Sequence, residues 1–160
     1  MKYAGIIKND IANGPGIRVS FFTQGCPHHC KGCFNPETWD PEGGKEFTSD
    51  TLEEIKTALT ANGIKRNLSI LGGEPLCPDN LFLTELLIRE IKQTYPDITI
   101  YLWTGYKYSE LNQSTNKSIQ YILSTIDTLI DGPFIEEQRD ITLPLRGSRN
   151  QQIIDLKKKL

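Results

Sequence analysis

The chain has 160 residues and a formal net charge of −2, from 18 basic and 20 acidic side chains. This length fits one domain, residues 1–160, and the lack of a basic excess argues against nucleic acid as a partner. The longest apolar stretch, around Leu81–Ile88, contains Thr84 and Glu85 and cannot span a bilayer, and Met1–Gly16 lacks the apolar core of a signal peptide.

Strands and helices are predicted to alternate along the chain. Hydrophobic periodicity and turn residues predict, in chain order, strand Arg18–Thr23, helix Ser49–Ala61, strand Asn67–Leu71, helix Asn80–Tyr95, strand Ile98–Trp103, helix Ser118–Ile126, strand Thr128–Ile130 and an edge strand Gln152–Leu156. A polar loop rich in proline and glycine, Gln24–Glu46, follows the first strand, and Gln138–Gln151 is expected to be irregular.

This alternation indicates an α/β fold with βαβ units and a mostly parallel sheet. Each unit needs roughly thirty residues, so the chain holds about four, too few for a closed eight-fold barrel. We expect an open, curved, partial (βα) barrel. Cys26, Gly72–Pro75, Thr104 and Asp131 each follow a predicted strand. Because α/β folds build their sites at the carboxyl ends of strands, these residues predict one composite site.

Three of the four cysteines, Cys26, Cys30 and Cys33, lie within eight residues. A secreted disulfide scaffold spreads its cysteines along the chain, whereas this clustering indicates a metal or redox site in a reducing cytoplasm. Thiolates are the normal ligands of iron–sulfur clusters, which usually have four. Three thiolates would leave one iron open, and S-adenosylmethionine could chelate that iron through its amino and carboxylate groups.

A zinc site is the alternative interpretation of the same cysteines. Zinc accepts Cys₃His or Cys₄ ligand sets, with His28, His29 or Cys77 as the fourth ligand. The two histidines lie inside the loop, where folding back onto the same metal is awkward, so we expect them to be exposed loop residues. Cys77 stands alone and is expected to be a small buried hydrophobic residue.

The motif Cys-x₃-Cys-x₂-Cys resembles the signature of the radical S-adenosylmethionine superfamily. Further blocks make the chain resemble the activating proteins of anaerobic (class III) ribonucleoside-triphosphate reductases. These blocks are Asn13–Arg18, Gly25–Cys33, Asn35, Thr38-Trp39, Gly72–Pro75, Trp103–Tyr106, Asp131-Gly132 and Arg146–Gln151. The resemblance extends from residue 13 to residue 151, and the order and spacing of the blocks make it specific.

The resemblance implies that Cys26, Cys30 and Cys33 hold one [4Fe–4S] cluster per chain, whose open iron binds S-adenosylmethionine. Reductive cleavage then gives methionine and a 5′-deoxyadenosyl radical, which removes hydrogen from a backbone glycine of the large reductase subunit. An electron donor such as flavodoxin is implied. The cofactor supplies the radical chemistry, so no side chain is expected to be catalytic beyond the cluster and the cofactor.

The resemblance also implies which residues bind the cofactor. Gly72, Gly73, Glu74 and Pro75 would bind its methionine amino group, with Thr104 and Asp131 as further cofactor contacts. Many superfamily members carry an aromatic residue before the last cysteine, but this chain has Gly32 there and Phe34 after the cysteine. The chain lacks the extra helices of larger members. We therefore expect a site open on one side, which the reductase would cover.

Two other functions remain as alternatives. The stretch Gly25–Asp40 also resembles activases of other glycyl-radical enzymes, such as pyruvate formate-lyase, although the short length and the block Arg146–Gln151 favour the reductase activase. A non-catalytic zinc or iron–sulfur binding module belongs to a different class and would not depend on S-adenosylmethionine. The oligomeric state is left open, including a homodimer.

Overall fold

The computed structural model describes residues 1–157, which form one mixed sheet of seven strands with helices packed against it. The strands are β1 (Lys2–Asp10), β2 (Arg18–Thr23), β3 (Lys45–Glu46), β4 (Asn67–Gly72), β5 (Ile100–Trp103), β6 (Thr128–Asp131) and β7 (Gln152–Asp155). The helices are α1 (Ser49–Leu59), α2 (Pro78–Thr94), α3 (Tyr108–Leu111) and α4 (Lys117–Thr125), with 3₁₀ turns at Pro36–Thr38, Ala61–Gly63 and Glu136–Gln138.

The strand order is β3-β1-β2-β4-β5-β6-β7, and within the described chain the sheet stays open between β3 and β7. The four central strands β2, β4, β5 and β6 are parallel, as the alternation of strands and helices predicted. Strands β1 and β3 at one edge and β7 at the other pair antiparallel. None of the helices within residues 1–157 is long and apolar enough to cross a membrane.

The two faces of the central strands differ in chemistry. In the parallel register, Val19 pairs with Leu68 and Phe21 with Ile70, which gives one face a continuous apolar surface. That surface and the apolar sides of α1, α2 and α4 form the buried core, whose fully buried members include Val19, Phe21, Ile55, Leu68, Ile70, Leu87, Ile88, Ile91, Ile100, Leu102, Ile122 and Leu129. The opposite face carries polar side chains such as Ser20 and Ser69, and these are also buried.

Within the Asn13–Arg18 block, Arg18 has a structural role. Its side chain is 1% exposed. Its guanidinium donates to the hydroxyl of Ser69 at 2.7 Å and to the carbonyls of Pro15 and Leu68 at 3.0 and 2.9 Å. Desolvation by burial lowers the pKa of this guanidinium. Arg18 thus joins the turn before β2 to the neighbouring strand β4.

The structure differs from the sequence prediction mainly at element ends and at the amino terminus. Strand β1 was not predicted, because its lysines and Gly5 hide the alternation of half-buried residues. Helix α1 is capped by Thr48, whose hydroxyl accepts from the backbone N–H of Thr51. Helix α2 begins at Pro78, a residue well suited to the first turn of a helix. The short helix α3 was also not predicted.

Candidate functional site

An open cleft lies at the carboxyl ends of the parallel strands. It is lined by all three clustered cysteines and by residues at or beyond the ends of the central strands. The lining residues are Cys26, His28, Cys30, Cys33, Phe34, Asn35, Thr38, Trp39, Leu71, Gly72, Gly73, Glu74, Trp103, Thr104, Gly105, Gly132, Phe134 and Gln151. The structure therefore brings together residues that the sequence expected to form one composite site. Pro75 and Asp131 are buried next to the cleft but do not line it.

The three cysteines are held by the backbone of their own loop. The N–H of Cys26 donates to the carbonyl of Trp39 at 3.1 Å, and the N–H of Cys33 donates to the carbonyl of Cys30 at 3.1 Å. The N–H of Asn35 points to the sulfur of Cys33 at 3.4 Å. All three thiols are free and partly exposed to the cleft. They are therefore accessible to a ligand that enters the cleft.

Two residues of this loop adopt left-handed backbone conformations. His29 has a φ of 47° and Gly32 has a φ of 76°. Glycine takes this conformation without steric cost, and this explains why a glycine occupies position 32. The ring of His29 stacks on Trp39 with centroids 4.6 Å apart and an interplanar angle of 7°. His29 is exposed, as the sequence predicted.

The environment of Cys26 favours its protonated form when no metal is bound. Burial raises the pKa of the Cys26 thiol, and the nearby charge of Glu74 raises it further. Backbone N–H groups of His28 and His29 act in the opposite direction and lower it. Because metal ligands must be thiolates, metal binding at this position would release the proton.

Glu74 is the most completely engaged side chain of the cleft, and it is 0% exposed. Its Oε1 lies 2.8 Å from Nε2 of His28 and accepts from the N–H of Gly105 at 2.6 Å. Its Oε2 accepts from the N–H of Leu76 and from the hydroxyl of Thr104, both at 2.8 Å. Each carboxylate oxygen thus has two protein partners, and the carboxylate joins the loops that follow β2, β4 and β5.

His28 is the side chain that sequence reasoning misplaced. We expected an exposed loop histidine, but its side chain is only 18% exposed and packs edge-on to Tyr106 with centroids 4.7 Å apart. Its partner Glu74 lies 46 residues along the chain. No local pattern in the sequence signals that contact, because it depends on how the loops of two strands come together.

The glycines after β4 allow two loops to approach closely. The N–H of Gly73 donates to the carbonyl of Thr23 at 2.9 Å, and the N–H of Glu74 donates to the carbonyl of Gly25 at 2.8 Å. A Cβ at Gly73 would collide with that Gly25 carbonyl. Gly72 has a φ of 107°, and a Cβ there would lie 2.6 Å from the backbone nitrogen of Thr23. Any side chain in this pair would push the Gly72–Pro75 loop away from the cysteine loop.

The donor set fits an iron–sulfur cluster better than a single zinc ion. Three free thiols of one loop face one open cleft, and cluster thiolates each bind a different iron. Zinc needs four ligands around one point. Across residues 1–157, no group of three His, Cys, Asp or Glu side chains is close enough to hold one metal ion. The proposed fourth zinc ligands are engaged elsewhere, His28 with Glu74, His29 with Trp39 and Cys77 in the buried start of α2.

Comparison with known proteins agrees with this donor set. The family described as a 4Fe-4S single cluster domain matches residues 12–154. The anaerobic ribonucleoside-triphosphate reductase-activating protein of Vibrio cholerae is 43% identical over 154 residues, covering 96% of this chain and 97% of the relative. The chain belongs to the family of anaerobic ribonucleoside-triphosphate reductase-activating proteins. Members from Escherichia coli K12 and Enterobacteria phage T4 are each 37% identical, covering 98% and 96% of this chain and 100% and 93% of their own lengths.

In this member of the activating-protein family, Asp131 lies beside the cleft and faces a different part of the structure. Its Oδ2 accepts from the N–H of Tyr108 at 2.7 Å, and its Oδ1 accepts from the N–H of Gln152 at 3.1 Å. These bonds fix the start of α3 and of β7. Gly132, the next residue, lines the cleft. The cofactor contact of Asp131 therefore stays a prediction.

The Arg146–Gln151 block contributes Gln151 to the lining of the cleft. The amide of Gln151 accepts from the N–H of Gly147 at 2.8 Å and donates to the carbonyl of Gly132 at 3.0 Å. The guanidinium of Arg146 lies 3.4 Å from the carbonyl of Gln151. Gln151 thus connects the turn at Gly147 to the end of β6, so the polar residues of this block have a structural role.

An aromatic pair forms the rim of the cleft. Phe34 is 56% exposed, and its ring lies 5.1 Å from that of Phe134. The guanidinium of Arg139 lies over Phe34 at 5.2 Å. The sequence drew attention to Phe34 by its place just after the last cysteine, but it had no signal for Phe134, which is 100 positions away.

Proposed function

We propose that this chain activates an anaerobic ribonucleoside-triphosphate reductase by radical S-adenosylmethionine chemistry. When bound, a reduced [4Fe–4S] cluster supplies the electron that cleaves S-adenosylmethionine to methionine and a 5′-deoxyadenosyl radical, which takes hydrogen from a backbone glycine of the reductase. The observation that carries this proposal is the convergence of three free thiols and the Gly72–Pro75 loop on one open cleft. The names of the relatives support the choice of partner.

In this proposal Cys26, Cys30 and Cys33 hold the cluster and leave one iron free for the cofactor. Backbone groups of Gly72 and Gly73 bind the methionine amino group, since the missing side chains leave the backbone accessible at the cleft. The carboxylate of Glu74 already has four protein partners, so it serves the loop by fixing its shape. Its negative charge also favours an ammonium group nearby.

Thr104, Pro75 and Asp131 take supporting roles in the same proposal. Thr104 lines the cleft, and its hydroxyl donates to Glu74. Thr104 can therefore contact both the Gly72–Pro75 loop and the cofactor. Pro75 is buried and rigidifies the turn into α2. A contact between Asp131 and the cofactor stays part of the proposal, and the next residue, Gly132, lines the cleft.

The open cleft suits a protein substrate. We infer that the sheet is the open partial barrel of a radical S-adenosylmethionine enzyme, in one domain, and that the reductase covers the cleft during the reaction. The exposed ring of Phe34 would then pack against the partner and exclude water. Clustered free thiols and a cluster with an open iron fit a reducing cytosol, where a flavodoxin could donate the electron.

The first experiment is anaerobic iron–sulfur reconstitution followed by addition of S-adenosylmethionine and a strong reductant. We expect equal amounts of 5′-deoxyadenosine and methionine from the wild type and none from Cys30→Ala. Cys77→Ala is the matched control, because Cys77 is buried and does not line the cleft. It should keep the activity. A protein that retains stoichiometric zinc and yields neither product would instead be a binding module.

The partner is tested separately by electron paramagnetic resonance. The reconstituted protein is incubated with the anaerobic reductase or with pyruvate formate-lyase, and the glycyl radical is quantified on each. The proposal predicts a radical on the reductase only. A radical on pyruvate formate-lyase alone would assign the chain to the sister activases.

A further inference from the structure

His28 connects the cysteine loop to the rest of the cleft through its side chain. It lies between Cys26 and Cys30, and its Nε2 is 2.8 Å from Oε1 of the fully buried Glu74. A carboxylate oxygen accepts, so Nε2 is the donor in this contact. Glu74 in turn is fixed by the N–H groups of Leu76 and Gly105. The imidazole is therefore attached to an immobile acceptor.

The ring of His28 is also confined on two sides. It packs edge-on against Tyr106, with centroids 4.7 Å apart. A Cβ at Gly105 would lie only 2.6 Å from its Cδ2 and 2.7 Å from its Nε2. The loop after β5 thus leaves room for the imidazole only because residue 105 has no side chain. Three loops meet at this one ring.

We propose that His28 is a positioning residue, which sets the distance between the cysteine loop and the Gly72–Pro75 loop. This inference rests on the proposed function, in which the cysteine loop would hold the cluster and the Gly72–Pro75 loop would hold the cofactor that binds to that cluster. A shift of about 1 Å between such groups is enough to weaken a reactive arrangement strongly. His28 provides a side-chain tie across this gap, next to the backbone bonds of Gly25.

The main test compares His28→Ala with His28→Gln and Lys31→Ala after anaerobic reconstitution. Iron content, the affinity for S-adenosylmethionine and the change that the cofactor causes in the spectrum of the reduced cluster are measured for each. We expect His28→Ala to hold wild-type iron but to bind S-adenosylmethionine at least tenfold more weakly, with a smaller spectral change. The glutamine amide can donate to Glu74 and should restore most of the affinity. Lys31→Ala, which alters a side chain of the same loop that is 83% exposed, should match the wild type.

A second variant moves the imidazole without removing it. Gly105→Ala places a methyl group against the His28 ring, and it should reproduce the weaker cofactor binding of His28→Ala. Combining the two substitutions should add little, because both break the same contact. Gly5→Ala, where a Cβ meets nothing within 4 Å, is the control for a glycine substitution.

A metal-free measurement separates this proposal from the proposed function. Without a cluster, His28→Ala should free the cysteine loop and speed the alkylation of its thiols several-fold, whereas His28→Gln and Lys31→Ala should not. This result is expected even if the wild type never cleaves S-adenosylmethionine. The positioning role is wrong if alkylation rates and cofactor affinity of His28→Ala stay within twofold of the wild type. It is also wrong if His28→Ala cannot hold iron, because the histidine would then serve the cluster itself.

Discussion

At the scale of single residues, the two tryptophans of the cleft form a natural pair for comparison. The indole N–H of Trp103 donates to the carbonyl of Leu145 at 2.8 Å. The indole nitrogen of Trp39 is buried and has no hydrogen-bond partner, and it is the one such side-chain atom within residues 1–157. A buried donor without a partner costs roughly 1–3 kcal/mol.

The two tryptophans should therefore respond differently to replacement by phenylalanine. Trp103→Phe removes a hydrogen bond and leaves a carbonyl without its donor, whereas Trp39→Phe removes a donor that was already unpaired and keeps a ring to stack on His29. We expect Trp103→Phe to lower the free energy of unfolding of the metal-free protein by about 1 kcal/mol more than Trp39→Phe. Urea denaturation measures both. Equal losses would mean that Trp39 has a partner in solution, such as a water molecule.

Cys77 gives a prediction about pH. It is 1% exposed, as the sequence predicted for a small hydrophobic residue, and desolvation by burial raises the pKa of its thiol to about 11. The folded-state pKa lies above the ordinary value of 9.0. The fold therefore favours the thiol, so this contribution to stability is complete below pH 9 and is lost as the pH rises towards 11.

We thus expect the free energy of unfolding of the metal-free protein to fall between pH 9 and 11, and to fall less in Cys77→Ala. At pH 8 iodoacetamide should alkylate the three loop cysteines while Cys77 stays unmodified, as mass spectrometry of the peptides would show. Rapid modification of Cys77 at pH 8 in the folded protein would contradict its burial.

At the scale of secondary-structure elements, the sequence was informative wherever a local pattern exists. Each strand and helix predicted from periodicity is present, and β2 has the predicted bounds Arg18–Thr23. The missed element β1 has no strict alternation, since Gly5 and the flanking lysines interrupt it. The missed helix α3 has only four residues, too few to set up a helical period. The pairing of one strand with another, such as β1 with β2, cannot be recognised from a local sequence pattern.

The loop after β4 gives a prediction at this scale. Replacing Gly73 by alanine would force the Gly72–Pro75 loop away from the carbonyl of Gly25, which costs about 1–3 kcal/mol as overpacking. Gly5 lies in strand β1 with open space around its Cα, so Gly5→Ala should be neutral or stabilise by roughly 0.5–1 kcal/mol. Thermal or urea unfolding of the two variants measures the difference. A Gly73→Ala protein as stable as Gly5→Ala would show that the loops can separate without cost.

At the scale of the whole molecule, the candidate site is assembled from the ends of four parallel strands. The sequence indicated this assembly, because Cys26, Gly72–Glu74 and Thr104 lie at or just after the ends of strands, and they line one cleft. Pro75 and Asp131, which were predicted for the same site, are buried next to the cleft. No local pattern indicated the ties across the cleft, which join Glu74 to His28 and Gln151 to Gly132. Those ties depend on the twist and register of the sheet, and both are properties of the assembled fold.

Because the cleft lies at one end of the sheet, ligands that bind there should slow hydrogen exchange mainly at that end. With the cluster reconstituted and S-adenosylmethionine at 100 times its dissociation constant, amides that exchange through opening of the cleft should slow by about 100-fold. These include the N–H groups of Cys33, Gly73 and Gly105. Amides at the opposite end of the sheet should keep their rates, and the backbone N–H of Arg66, which donates to the carbonyl of Leu59 at 2.9 Å, is a suitable reference.

Mass spectrometry of the apo, cluster-loaded and cofactor-loaded forms would resolve the order of these effects. We expect the cluster alone to protect the cysteine loop, because it crosslinks three positions of that loop. Under the proposed function, the cofactor should add protection at Gly73 and Gly105, because these amides donate to Thr23 and Glu74 beside the cleft. Uniform protection over the whole sheet, including Arg66, would contradict a ligand that acts on the cleft and would indicate global stabilisation.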